Sequence, residues 1–423
     1  MNVFELVESN VRSYCRAFPV VFQTAENAKM YGESNEAYID FLAGAGALNY
    51  GHNPPFIKER LIQYIQSNGV MHGLDMYTTA KRDFIETFTK HILLPRNLNY
   101  KMQFCGPTGT NAVEAALKLA RKVKGRTGIF SFMGGFHGMS LGSIAATGNL
   151  EQRAGAGIPL QNVTFMPYPY GYAESFDTIE YMESILMDPN SGIEKPAAIL
   201  VETVQAEGGI IVAPTEWLIR LRKLCTEHDI LMICDDIQVG CGRAGQFFSF
   251  ERAEIVPDIV TLSKSIGGYG LPLSLVLLKP ELDIWKPAEH NGTFRGNQLA
   301  FVAAMAAIEY REEIYLEKQV EEKEAYIEDF LVNEIMPIHE DIKIRGIGMI
   351  WGIDFTNVTN DSEVVKRIAR ACFDNKLIIE RVGRNDLVLK IMPPLTIEME
   401  VLQEGCAVIK QAIVSHIEAQ IHS

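Results

Sequence analysis

Ile230-Leu-Met-Ile-Cys234-Asp235-Asp236-Ile237-Gln238-Val-Gly240-Cys-Gly242-Arg-Ala-Gly245, and after it Asp258-Ile-Val-Thr-Leu262-Ser263-Lys264, decide how the chain folds. Five apolar residues with no polar interruption read as a strand buried on both faces of a parallel sheet. Two acids close that strand, and a lysine closes the next one. In an open α/β sheet ligands lie beyond the carboxyl ends of the strands, so Asp235 and Lys264 are expected to face one cleft. Gly267 and Gly268 leave room beside the lysine. Gly240-Cys-Gly242-Arg-Ala-Gly245 matches GxGxxG, but that fingerprint should open a helix directly after the strand. Here Asp-Asp-Ile-Gln intervenes, and Gln246-Phe-Phe-Ser-Phe250 carries no helical stripe, so a dinucleotide fold is not expected. A plain buried ion pair between Asp235 and Lys264 would leave the surrounding glycines unexplained.

A lysine and an acid so placed fit pyridoxal 5'-phosphate. This cofactor is carried covalently by a lysine and needs an acid to keep its ring nitrogen protonated, because the charged ring is the sink for carbanion electrons. The stretch from Cys234 to Gly245, with Thr261-Leu-Ser-Lys264, resembles the signature of the class III aminotransferases, which have fold type I. The resemblance implies that Asp235 pairs with the pyridine nitrogen, Gln238 touches the ring hydroxyl and Lys264 carries the cofactor.

Composition narrows the partners. With 423 residues, the chain is too long for one core. Hydrophobic content of 47% and charged content of 22% are those of a globular protein. A net charge of -14, with no offsetting run of Lys and Arg, argues against nucleic acid and anionic membranes and for a small-molecule partner. Seven cysteines show neither CxxC nor framework spacing and read as buried free thiols in a reducing cytoplasm. The acidic start Met-Asn-Val-Phe-Glu5 is unlike a signal peptide. No histidine pair has metal-site spacing, so no metal is expected.

The expected architecture is α/β. A large domain with a mostly parallel sheet spans 51–300, and a smaller α+β domain is built from an arm over 1–50 and the segment 301–423. Tyr38-Ile-Asp-Phe-Leu42 reads as a strand, and the glycine-rich Gly44-Ala-Gly46-Ala-Leu-Asn-Tyr-Gly51 cannot be a helix interior. Helical patterns run from Phe56 to Ser67 and from Thr79 to His91. Strand-like Lys101-Met-Gln-Phe-Cys105 turns through Gly106-Pro-Thr-Gly109-Thr110 into a helix, with capping-box spacing between Asn111 and Glu114. Amides at such a helix start bind phosphate, and the resemblance assigns Gly109 and Thr110 to that role. Gly128–Phe132 and Ala197–Val201 read as buried strands. Phe136, after two glycines, matches the residue that stacks on the cofactor ring in the family. Ile344–Asp354 and Val388–Leu395 read as strands, and a final helix covers Glu398 to Gln420.

The motifs occur in family order over nearly the whole chain. Gly44–Asn53, His72-Gly-Leu-Asp-Met76, Gly135–Met139 and Glu289-His-Asn-Gly-Thr-Phe-Arg-Gly-Asn297 look most like the diaminobutyrate–2-oxoglutarate aminotransferases of ectoine synthesis. That likeness implies transfer of the amino group of L-glutamate to L-aspartate 4-semialdehyde. Another omega-amino substrate, such as ornithine or 4-aminobutyrate, is the alternative, and a non-catalytic binding protein is a weaker one. Thr293 corresponds to a threonine that reaches the cofactor phosphate of the partner subunit, implying at least a homodimer with a shared site. Glu202 and Glu207, in a segment where Thr203 replaces the family's proline, and Lys390 fall at the substrate. Met139 stands where related enzymes carry a carboxylate-binding arginine, and Lys390 replaces another; Arg295 is a candidate substitute.

Overall fold

A computed structural model describes residues 3–421 of the chain. Its centre is a seven-stranded sheet, in which Lys101–Phe104, Leu275–Leu278, Ile259–Leu262, Leu231–Asp235, Ala198–Val201, Ile129–Phe132 and Val163–Met166 lie side by side in that order. Leu231–Asp235 is buried at every position and pairs in parallel with both neighbours. Leu275–Leu278 runs antiparallel to both of its own neighbours. An uninterrupted apolar run is what a strand covered on both faces needs, and this sheet places the ends of Leu231–Asp235 and Ile259–Leu262 side by side.

Gly109–Lys124 packs on the strands Ile259–Leu262 and Leu275–Leu278. Its buried Ala112, Ala115, Ala116 and Ala120 let the helix axis come close to the sheet. The capping box expected at Asn111 and Glu114 is not formed. The helix starts earlier, because Thr108 is extended and serves as the cap residue. Asn111 lies inside the first turn and accepts from the Thr108 hydroxyl at 2.6 Å. Glu114 reaches across to Ser140 Oγ (2.6 Å) and the Gly142 amide (2.8 Å), so its carboxylate serves the start of a different helix, Leu141–Ala146.

Phe22–Glu26, Lys29–Gly32 and Ala37–Asp40 form a second sheet, completed by Leu377–Ile378 in parallel with Ala37–Asp40. Gly44 and Ala45 sit in one tight turn, Ala43–Gly46, with left-handed dihedrals. The third sheet takes Lys343–Ile347, Ile350–Asp354, Val388–Ile391 and Glu380–Val382 in that order. Residues 344–354, expected as one strand, are therefore a hairpin. Gly348 makes the turn at φ +56°, where a Cβ would run into the Arg243 carbonyl. Cys15 is also a correction: it is exposed, on the surface turn Tyr14–Ala17, whereas the other six cysteines are buried.

The glycine-rich stretch 240–245 contains no helix and serves Arg243, which is fully buried. Its guanidinium donates to the carbonyls of Met349 (2.9 Å) and Pro393 and to Asn49 Oδ1 (2.7 Å). One side chain thus ties the amino-terminal segment, the central sheet and the carboxyl-terminal segment together. Burial pulls the guanidinium down to about 9, with Asp40 only partly opposing it.

Candidate active site

A cavity of about 170 Å³ opens at the carboxyl ends of the parallel strands. Gly109, Thr110, Phe136, Glu202, Glu207, Asp235, Gln238 and Lys264 all line it, so eight of the ten residues expected at a cofactor or substrate converge. Lys390 sits behind that wall on Glu207 and Gln238. Thr293 does not line the cavity of its own chain; it is exposed in the loop before Gln298–Glu313. Arg295 is in the same loop, bonded to Asn291 Oδ1 at 3.2 Å and 4.0 Å from Asp75. Met139 is exposed.

Asp235 is held by three groups. His137 Nδ1 lies 2.6 Å from its Oδ2, while the Thr261 hydroxyl and the Ile237 amide each donate to Oδ1 at 3.2 Å. Burial alone would deprotonate His137, but the Asp235 bond and charge, helped by Glu202, raise its pKa above the ordinary value. Sequence reasoning missed this histidine; its signal was a lone His between glycines in Gly135-Phe-His-Gly138. Neighbouring Asp236 faces away from the cavity, with Ser249 donating from its amide (3.1 Å) and hydroxyl. Burial pushes Asp236 up to about 7 against those hydrogen bonds.

Glu202 accepts from the Phe136 amide at 2.9 Å, which fixes the loop presenting the Phe136 ring. Burial raises Glu202 to about 7. Thr203, in place of the family's proline, donates its hydroxyl to Ser249 at 2.6 Å and so extends the support behind Asp236.

Lys264 is in the left-handed region, φ +52°, directly after the extended Ser263. Such a backbone is costly for a residue with a Cβ and turns the lysine out of the strand into the cavity. Burial lowers Lys264 to about 8; Glu207 raises it and Lys390 lowers it further. Lys390, by contrast, is 0% exposed and lies 2.8 Å from both Glu207 Oε1 and Glu380 Oε2. Burial opposes its charge, yet the two acids raise its pKa above the ordinary 10.5. Burial would likewise raise Glu207, but Lys390 and Lys264 pull it well below the usual carboxylate range. Gln238 joins the cluster, giving its amide to Glu207 at 3.1 Å and its carbonyl to Lys390 at 3.3 Å. Glu380 was not foreseen, because the three-residue strand Glu380–Val382 is too short to show alternation.

These residues suit a phosphorylated aromatic cofactor. Among the described residues no acceptor meets the amides of Gly109 or Thr110, and both line the cavity at a helix start. A Cβ at Gly109 would meet Ile237 at 3.2 Å and crowd that wall. The pattern of the class III aminotransferases matches residues 11–413. The chain is a class III aminotransferase. Relatives of this aminotransferase include a diaminobutyrate–2-oxoglutarate transaminase of Halalkalibacterium halodurans, 54% identical over 423 residues and covering 99% of this chain and 98% of that one. A protein of the same name from Bordetella parapertussis is 54% identical over 415 residues, covering 98% and 95%. Among solved structures, ornithine aminotransferase from Toxoplasma gondii superposes with a TM-score of 0.84 at 24% identity, covering 98% of this chain and 94% of that one. That last likeness concerns the fold alone.

Proposed function

We propose that this class III aminotransferase moves the amino group of L-glutamate to L-aspartate 4-semialdehyde, giving L-2,4-diaminobutyrate and 2-oxoglutarate. The observation that carries the reading is a buried cation, Lys390, whose partner Glu207 faces the cavity of Lys264. Glutamate reacts beside a carboxylate, whereas diaminobutyrate reacts at the amine farthest from its carboxylate. A cation that can be masked serves both. The names of the relatives at 54% identity support the same reading.

Pyridoxal phosphate, when bound, supplies the electron sink for the substrate carbon that loses its proton. The amides of Gly109 and Thr110 would hold its phosphate, Phe136 would cover its ring, Gln238 would meet the ring hydroxyl and Lys264 would carry it. Asp235, oriented by His137, would keep a cationic ring nitrogen protonated, since a buried opposite charge favours the charged form. Lys264 Nζ, with a pKa of about 8, loses its proton readily enough to take one from the substrate carbon and return it elsewhere. Glu202 holds the Phe136 loop in place. Glu207 covers Lys390 while an amine-bearing chain occupies the cavity and yields to the α-carboxylate of glutamate.

We place the enzyme in ectoine synthesis, in the cytoplasm and as a homodimer. Free cysteines suit a reducing compartment, and among the described residues no helix is long and apolar enough to cross a membrane. Met71, Leu74, Met76, Tyr77 and Phe294 form an exposed apolar belt beside Thr293. His72 meets Phe294 edge-on at 5.2 Å, joining the two loops. A second copy seated there would cover the belt and bring Thr293 to the neighbouring cofactor phosphate. An acceptor panel with glutamate as donor tests the function: aspartate semialdehyde should lead, and a lead by the semialdehydes formed from ornithine or 4-aminobutyrate would replace it.

A further inference from the structure

Two carboxylates hold Lys390, in unlike ways. Glu207 lies on the segment after the parallel strand Ala198–Val201, lines the cavity and keeps its side chain 27% exposed. Glu380 does not face the cavity; it is the cross-strand neighbour of Lys390 on an antiparallel pair and is 14% exposed. Its Oε2 is 2.8 Å from Lys390 Nζ, and both its charge and this contact help to keep the lysine charged. Its Oε1 accepts from the hydroxyl of Tyr14, at 3.0 Å. The backbone register and Tyr14 therefore fix Glu380, whereas Glu207 can be exchanged.

We propose that Glu380 is a specificity-determining residue, a permanent counterion that leaves Lys390 with too little net charge to hold a substrate carboxylate tightly and so favours cationic diamino substrates. The proposal rests on the transamination reading and refines its substrate preference. Among the described residues, two acids and no second base lie within ion-pair distance of Lys390. When a substrate carboxylate displaces Glu207, Lys390 keeps Glu380, so no bare buried cation is created and the exchange is easy. The arriving carboxylate, however, meets a site already neutralised by Glu380 and repelled by the displaced Glu207. Tight binding of an α-carboxylate is thereby forgone. A substrate with two ammonium groups gains from the surplus negative charge.

The test uses the pyridoxal phosphate-loaded enzyme and two probes of opposite charge. Glutarate, which has two carboxylates and no amine, is titrated by calorimetry; L-2,4-diaminobutyrate is followed by its saturation constant in single-turnover reaction. Glu380→Gln should bind glutarate about three- to tenfold more tightly, the effect of removing one nearby like charge. Diaminobutyrate should saturate about three- to tenfold more weakly. Tyr14→Phe, which frees Glu380 without changing charge, should move both constants in the same directions by about twofold, and it decides the matter if Glu380→Gln does not fold. Weakening of both probes, or an unchanged glutarate constant, overturns the proposal, since a structural role would loosen both. Failure of the native enzyme to react with diaminobutyrate would overturn the substrate reading instead, while the glutarate measurement would still judge Glu380.

Discussion

Two lysines serve one cavity and are prepared in opposite ways. Lys264 ends a parallel strand in a left-handed backbone, and burial lowers it to about 8. Lys390 lies within an antiparallel strand, fully buried, and is held charged by Glu207 and Glu380. The difference teaches that burial alone does not decide the state of an amine. Burial without an acid in contact makes a base; burial between two acids in contact makes a fixed cation.

The largest break should come from Lys264→Ala. Turnover should fall by at least about 10²- to 10⁴-fold, the usual loss of a positioned proton carrier, and the visible absorption of lysine-bound cofactor should vanish. Lys390→Ala should keep that absorption and slow mainly the glutamate half-reaction. Equal losses in both half-reactions would end the contrast.

A second comparison reads stability in the cofactor-free protein. The folded pKa of Lys264 lies below the ordinary 10.5, so between about 8 and 10.5 the unfolded chain binds more protons and stability rises with pH. Lys264→Met should therefore stabilise at pH 7, on the order of 3 kcal/mol, with the gain disappearing as pH approaches 10.5. Lys390 has the opposite sign. Its raised pKa stabilises the fold fully below 10.5, and that contribution is lost as pH rises through the folded value. Lys390→Met should cost about 3–5 kcal/mol at pH 7, because two acids are left without a buried counterion. Urea melts of both variants across pH 7 to 11 would show whether the signs differ.

The smallest effect couples the two amines. Glu207 raises Lys264, so Glu207→Gln should lower the pKa of Lys264, by about one pH unit or less. The pH dependence of cofactor attachment to the apoprotein measures it; a rise would contradict the shared field.

Much of this was legible because buried parallel strands announce themselves. Ile230–Cys234 has no polar break, so the sheet and the ends that carry Asp235 and Lys264 could be read directly. Gly109, Thr110, Phe136 and Gln238 followed from the family likeness and line the same cavity. What escaped depends on contacts between segments distant in sequence. His137 acquires its role from Asp235 and Glu380 from Lys390, through registers no local pattern encodes. The hairpin at Gly348 was hidden because Ile-Gly-Met-Ile lacks a usual turn pair such as Asn-Gly. Glu114 was misread because its hydrogen bonds lie 26 and 28 residues away rather than at its own helix start.

The pairing of Ala37–Asp40 with Leu377–Ile378 sets an order of events during synthesis. Tyr38 stacks on Phe373 at 5.1 Å, so the arm's aromatic surface is also covered by residues made late. At about 5 to 20 residues per second, the first strands wait on the order of tens of seconds for their last neighbour. Until then an apolar sheet edge stands open on the nascent chain. The arm that fixes Glu380 through Tyr14 is thus made first and seated last, and chaperone dependence of this enzyme should concentrate on its opening residues.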